Sequence, residues 1–234
     1  MTISGRSRDY LWSAASFGLV IGVWEAVVWF FRIPVYLLPG PGYVIAAVGE
    51  HWQSLVSQSV VTMGEVLAGF LAAALVAIPL AMLVVVSPVL ERLIYPPMVA
   101  TQSIPKIALA PLFIVWFGFG TTPKVAVAFL ISFFPIVVDT IVGLRSLDPA
   151  LVQLARSMGA PPYRIFLRLR LPNALPNVFA GLKVASTLAV VGALTGEFIG
   201  ADRGLGYVLV QSSAQLNTPL LFATRAGHMD AART

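Results

Sequence analysis

The sequence predicts an all-α polytopic membrane protein with about five transmembrane helices. Of its 234 residues, 58% are hydrophobic and only 11% are charged, and the mean hydropathy is +0.88. Soluble domains carry about 25% charged residues. The apolar residues gather in five runs close to the ~20 residues needed to cross a hydrocarbon core. These runs are too long for barrel strands and show no period-2 alternation, so their backbone groups must be satisfied within helices.

The chain opens with a basic segment, "MTISGRSRDY", read as a cytoplasmic N-terminus over residues 1–10. The first span follows, from Leu11 to Phe31. A secretory signal is the alternative, but no small-residue cleavage site follows the apolar core closely, and the run through Trp24 and Glu25 reaches spanning length. After it, "RIPVYLLPGPGYVIAAVGEHWQSL" holds a Pro/Gly turn and an amphipathic piece. That piece predicts an interfacial helix from Tyr43 to Leu55, with Trp52 at headgroup level. The second span is Val60 to Val86. The third is Leu93 to Phe117, broken by Pro96, Pro97, Pro105 and Pro111. The fourth is Val125 to Leu144 and the fifth Asn177 to Ile199. Residues 11–223 form one membrane domain, and residues 224–234 an atypical polar tail. Neither an internal repeat nor a low-complexity segment is present.

The net charge of +5 lies between the apolar runs, which fits topology control rather than nucleic-acid binding. With the N-terminus inside, the inner segments hold Arg6, Arg8, Arg92, Arg145, Arg156, Arg164, Arg168 and Arg170. The outer ones hold Arg32, Lys124 and Arg203. Glu65, Asp139 and Glu197 read as solvated or hydrogen-bonded helix-end charges. Gly64, Gly69, Gly181, Gly192 and Gly196 offer small surfaces for close helix packing. The turn "GADRGLG", Gly200 to Gly206, lies outside the membrane.

Catalysis has no foothold in these residues. The sequence has no cysteine and no GxxxxGK[ST] phosphate loop. Its two histidines, His51 and His228, are far apart. No metal site or cofactor site is expected in this chain. Lys106, inside the broken third segment, has two readings. It can attract an anionic solute in a translocation pathway, since an intramembrane ionisable residue points to function. It can equally snorkel to the interface.

The most structured polar stretch runs from Asp148 to Pro172. Asp148 can cap a helix whose first position is Pro149. Gly159 is placed to stop that helix with positive φ. Pro161 and Pro162 then start an amphipathic helix, with Ile165, Phe166, Leu169 and Leu171 on its apolar side, and Pro172 closes the unit. A loop that only fixes topology requires neither the cap nor the glycine stop.

This stretch, "QLARSMGAPPYRIFLRLRLP", resembles the EAA loop of ABC-transporter permease subunits. That pattern is Glu-Ala-Ala, three residues, Gly, nine residues, Ile, one residue, Leu-Pro. Gln153, Leu154 and Ala155 occupy the first three places, Gly159 has the right spacing, Leu169 replaces the isoleucine, and Leu171 and Pro172 match. The likeness runs from about Leu38 to Ala223. "IPKIALAPLFIVWFGFG" and "GEFIGADRGLGYVLVQSSAQLNTPLLFA" resemble the nitrate/sulfonate/taurine branch, which also includes permeases for pyrimidine precursors. The resemblance implies a MetI-like importer permease in a bacterial-type inner membrane, usually with six spans. It implies a homodimer surrounded by lipid, two cytoplasmic ATPase subunits that bind ATP and Mg, and an extracytoplasmic binding protein. It also implies that Gln153, Leu154, Ala155, Gly159, Leu169, Leu171 and Pro172 belong to a coupling element docked on the ATPase. The expected cargo is a small anionic nutrient, with a pyrimidine precursor as alternative. A stand-alone secondary transporter or channel is the alternative of a different class, and a membrane scaffold or enzyme a third. The family's last span is expected where Arg225, His228, Asp230 and Arg233 stand. A charge at a helix centre costs about 2.5–3.5 kcal/mol, so a truncated or frame-shifted tail is expected here.

Overall fold

The computed structural model describes residues 3–101, 103–215 and 217–231. Every regular element among them is helical: α1 Ile3–Phe30, α2 Pro41–Glu50, α3 Trp52–Val86, α4 Pro88–Thr101, α5 Ala110–Phe117, α6 Thr121–Arg145, α7 Pro149–Ser157, α8 Pro162–Ile165, α9 Leu171–Gly200, α10 Leu205–Ala214 and α11 Thr218–Ala231. A 3-10 turn, Lys106–Leu109, leads into α5, and a π turn, Phe166–Arg170, joins α8 to α9. Proline opens α2, α7 and α8 and sits in the first turn of α5, where its missing N–H costs nothing.

The chain forms two compact units, Met1–Ser59 with Val208–Thr234, and Val60–Tyr207. In the first, Ala47 of α2, Leu55 of α3 and Ala223 of α11 make a small core. The Trp24 and Phe222 rings lie 5.8 Å apart, and the Thr218 hydroxyl donates to the Tyr36 carbonyl. The interfacial helix is shorter than expected. It ends at Glu50, and Trp52 already starts α3. The predicted inner charges Arg6 and Arg8, and Arg225, His228 and Asp230 of the tail, lie outside the described side chains. Arg233 lies outside the described residues.

The second unit is built on small residues. Ala73, Ala77 and Ala81 of α3 are fully buried with Ile136, Val137 and Ile141 of α6 and Ala185 of α9. A Cβ on Gly192 would sit 2.7 Å from the Ala128 Cα, and one on Gly196 would sit 2.8 Å from the Lys124 Cα. These glycines therefore let α9 lie directly on the α6 backbone, as packing without a strong hydrophobic drive between helices requires. Gly69 and Gly181 also face close neighbours. Gly64, expected to do the same, faces nothing within 4 Å.

Among the described residues, α3, α6 and the continuous Pro162–Gly200 rod are long and apolar enough to cross a membrane. The expected third span is a bent pair, Pro88–Thr101 and Lys106–Phe117, at 91°. Pro96 and Pro97 do not break it, since both lie inside α4. α1 is 28 residues long and covers the expected first span from Leu11 up to Phe30. Among the described residues, three helices, or four spans with the bent pair, pass on length and composition. The fifth span also begins earlier than Asn177. Pro172 is expected to close the amphipathic helix, yet the helix runs on through it. The π turn explains this. Leu171 N–H donates to the Phe166 carbonyl five residues back, a wider turn that absorbs a proline where an α-helical ladder would be interrupted.

Candidate functional site

The predicted coupling segment folds as a capped helix and a sharp turn. The Asp148 carboxylate accepts the Ala150 N–H at 2.8 Å, which satisfies one of the free donors at the start of α7. At the other end Ala160 N–H donates to the Ala155 carbonyl at 3.0 Å, and Gly159 N–H to the Arg156 carbonyl at 2.9 Å. This pair of bonds needs a residue in the left-handed region between them, and Gly159 has φ 77°. No residue of α7 is buried. Leu151, Leu154 and Met158 are exposed, Met158 by 79%. Positions 151, 154 and 158 share one helix face, so α7 presents an apolar stripe with nothing from this chain over it. Gln153 is exposed beside it, and Ala155 is half-buried. Leu169 and Leu171 are partly buried and Pro172 is exposed. The motif's first part therefore lies on the exposed helix and its last part in the π turn and the start of α9.

Lys106 opens the 3-10 turn after the bend. Its Nζ sits 4.5 Å from the centroid of the Phe134 ring, a distance at which the ring face attracts a cation. Both residues line a cavity of about 460 Å³, with Ile131, Asp139, Val184 and Leu188 among its walls. The sequence marks Asp139 only as a helix-end charge. The structure instead puts it in the same chamber as Lys106.

Lys183 carries no expectation from the sequence. It is an exposed cation within α9, and a lone lysine inside an apolar span is the signal that could have found it.

A second polar centre is not visible as a unit in the sequence. Lys124 Nζ lies 2.9 Å from Glu65 Oε1, with both side chains at most 3% exposed, and it also donates to the Arg203 carbonyl at 3.2 Å. The Thr62 hydroxyl bonds Glu197 Oε1 at 2.7 Å and accepts the Leu205 N–H at 2.9 Å. Gly206 N–H donates to Glu197 Oε2. Gly204 has φ 109°, and a Cβ there would overlap the Glu197 carboxylate. Neither glutamate is solvated. Together they tie α3, α6, α9 and the Gly200–Gly206 turn into one buried network.

Among the described residues no group of three or more His, Cys, Asp or Glu side chains could hold a metal ion.

Comparison with known proteins agrees with this architecture. Residues 65–227 match the family described as "Binding-protein-dependent transport system inner membrane component". The chain is 37% identical to the formylaminopyrimidine transport permease protein of Halalkalibacterium halodurans, over 93% of this chain and 87% of that one. It is 36% identical to the riboflavin transport system permease protein of Chloroflexus aurantiacus, over 89% and 78%. It is 25% identical to the taurine transport system permease protein of Escherichia coli, over 93% and 82%. An inward-facing structure of the MetNI methionine ABC transporter shares the fold, with TM-score 0.61 and 20% identity over 79% of this chain and 97% of that one. The chain therefore belongs to the family of binding-protein-dependent transport system inner membrane components, the permeases of ABC transporters.

Proposed function

We propose that two copies of this chain form the membrane channel of an ATP-driven importer, and that α7 is the element through which an ATPase subunit drives them. The observation that carries this reading is the capped α7, none of whose residues is buried, with its apolar stripe Leu151, Leu154 and Met158. A stripe of that kind outside the lipid needs a protein partner, since contiguous exposed apolar surface marks an interaction site. Gln153, Leu154, Ala155 and Gly159 form the docking segment. Leu169, Leu171 and Pro172 brace it at the start of the long rod. ATP and Mg belong to the partner ATPase, and an extracytoplasmic binding protein delivers the solute. Lys106 faces the solute pathway.

The cargo is a small nutrient. A pyrimidine-type solute is favoured over the sulfonate, taurine and nitrate class, because identity is higher to the formylaminopyrimidine permease than to the taurine permease.

The test is co-purification of the tagged chain with its ATPase from native membranes, followed by uptake in inside-out and right-side-out vesicles. Uptake is expected to need ATP, the ATPase and the binding protein. Uptake that survives removal of the ATPase would instead establish a secondary transporter.

The same reading puts the N-terminus and α7 in the cytoplasm. In a chain without cysteine, Ser157→Cys and Ser7→Cys are expected to resist a membrane-impermeant thiol reagent added outside, while Ser213→Cys reacts. External labelling of Ser157→Cys would reverse the orientation.

A further inference from the structure

We propose that the cavity shared by Lys106 and Asp139 is a solute subsite selecting molecules that pair an N–H donor with an anionic or carbonyl oxygen. The donor end is held by Asp139 and the oxygen end by Lys106. The inference rests on the importer reading above and adds the chemistry that the pathway prefers.

Four observations carry it. Lys106 and Asp139 border one chamber, yet among the described residues they make no ion pair with each other or with any third group. Uncompensated charges inside a membrane protein are expensive and mark solute pathways. The chamber holds about 460 Å³, within the ~300–1,000 Å³ typical of small-molecule pockets. Pro135, inside α6, also lines it. A proline cannot donate to the carbonyl four residues back, which leaves the Ile131 carbonyl without that donor. Gly181 makes room for the acid, since a Cβ there would lie 3.2 Å from Asp139 Oδ2.

Charge then decides the class. A simple anion gains from Lys106 and loses to Asp139, whereas a solute with a donor at one end and an oxygen at the other satisfies both. The Phe134 ring and the apolar Val184 and Leu188 side chains leave the walls suited to a flat or short aliphatic body.

The absence of cysteine permits a direct test. Val184→Cys places a single thiol in the chamber wall, in membrane vesicles carrying the chain. Its reaction rates with anionic sulfonatoethyl and cationic trimethylammonioethyl methanethiosulfonate report the local field. Asp139→Asn is expected to raise the anionic-to-cationic rate ratio about three- to tenfold, and Lys106→Gln to lower it by a similar factor, as unit charges at close range in a hydrated site do. The double variant keeps a ratio near that of the parent, which separates a charge effect from misfolding.

Protection of the thiol is then measured with 2-aminoethanesulfonate against ethanesulfonate, and with a 4-aminopyrimidine against the same ring lacking the amino group. At least one amino compound is expected to protect several-fold better than its partner, and Asp139→Asn to remove that preference. Equal protection within both pairs, or a preference that survives Asp139→Asn, overturns the proposal. So does a rate ratio indifferent to both substitutions. The labelling requires neither ATP nor an ATPase, so its failure leaves the importer reading standing, and loss of ATP-driven uptake leaves the labelling result standing.

Discussion

Lys124→Met is expected to destabilise the folded chain by about 3–5 kcal/mol, the usual result of removing one partner from a buried ion pair. The Lys124 and Glu65 side chains are 3% and 1% exposed, so water cannot replace the lost ammonium. The Glu65 carboxylate would remain buried beside a second acid, Glu197, with no cation. The Arg203 carbonyl would lose the Lys124 donor as well, which loosens the turn that closes over Glu197. The cost comes from the stranded carboxylate and not from the lost attraction alone. Lys124→Met with Glu65→Met should therefore recover most of the stability, since apolar replacement of a buried pair is often neutral. Thermal unfolding in detergent, followed for the parent, both single variants and the double, checks this. A double variant as unstable as Lys124→Met would mean that packing at the α6 start, and not the stranded charge, sets the loss.

That pair also marks the limit of what the sequence makes legible. The apolar runs that form α3, α6 and α9 are legible because hydropathy is a local property of about 20 consecutive residues. The α7 cap is legible for the same reason. Asp148, Pro149 and Gly159 each act within one helical turn, and each sits where its local chemistry places it. Lys124 and Glu65 are 59 positions apart, and only the packing of α6 against α3 joins them. Read singly, Glu65 is a solvated or hydrogen-bonded helix-end charge and Lys124 a charge of an outer segment, and neither names the other as its partner.

Proline gives a mixed signal for a related reason. Pro79, Pro96, Pro97 and Pro135 all lie inside helices, where membrane proteins tolerate proline. The bend in the third segment falls after Thr101 instead. Pro172 is passed by a π turn that no periodicity announces. The shared chamber of Lys106 and Asp139 is invisible in the sequence for the same reason as the ion pair. It exists only once the turn at Lys106 folds back against α6.

The coupling reading makes the second large prediction, and it turns on Gly159. At φ 77°, with nothing within 4 Å of where a Cβ would stand, the position is open in space but closed to most side chains by its backbone. Gly159→Ala therefore isolates conformation from crowding, and the left-handed region costs a non-glycine residue roughly 1–2 kcal/mol. Gly159→Val adds the stiffness of a β-branched side chain. Either change strains the two hydrogen bonds that end α7, from Ala160 to Ala155 and from Gly159 to Arg156, and so redirects the stripe of Leu151, Leu154 and Met158. The spanning helices lie outside this turn, so membrane insertion is expected to remain normal. Co-purification of the ATPase should fall about tenfold with Gly159→Val, the factor that about 1.4 kcal/mol represents, and solute-stimulated ATP hydrolysis and uptake should fall together. Leu154→Asp should reproduce the loss by another route, placing a charge on the apolar stripe while leaving the turn intact. Arg168→Gln, within the π turn, should have a milder effect. Full co-purification and full uptake with both Gly159→Val and Leu154→Asp would remove α7 from the coupling path and leave it a loop that only fixes topology.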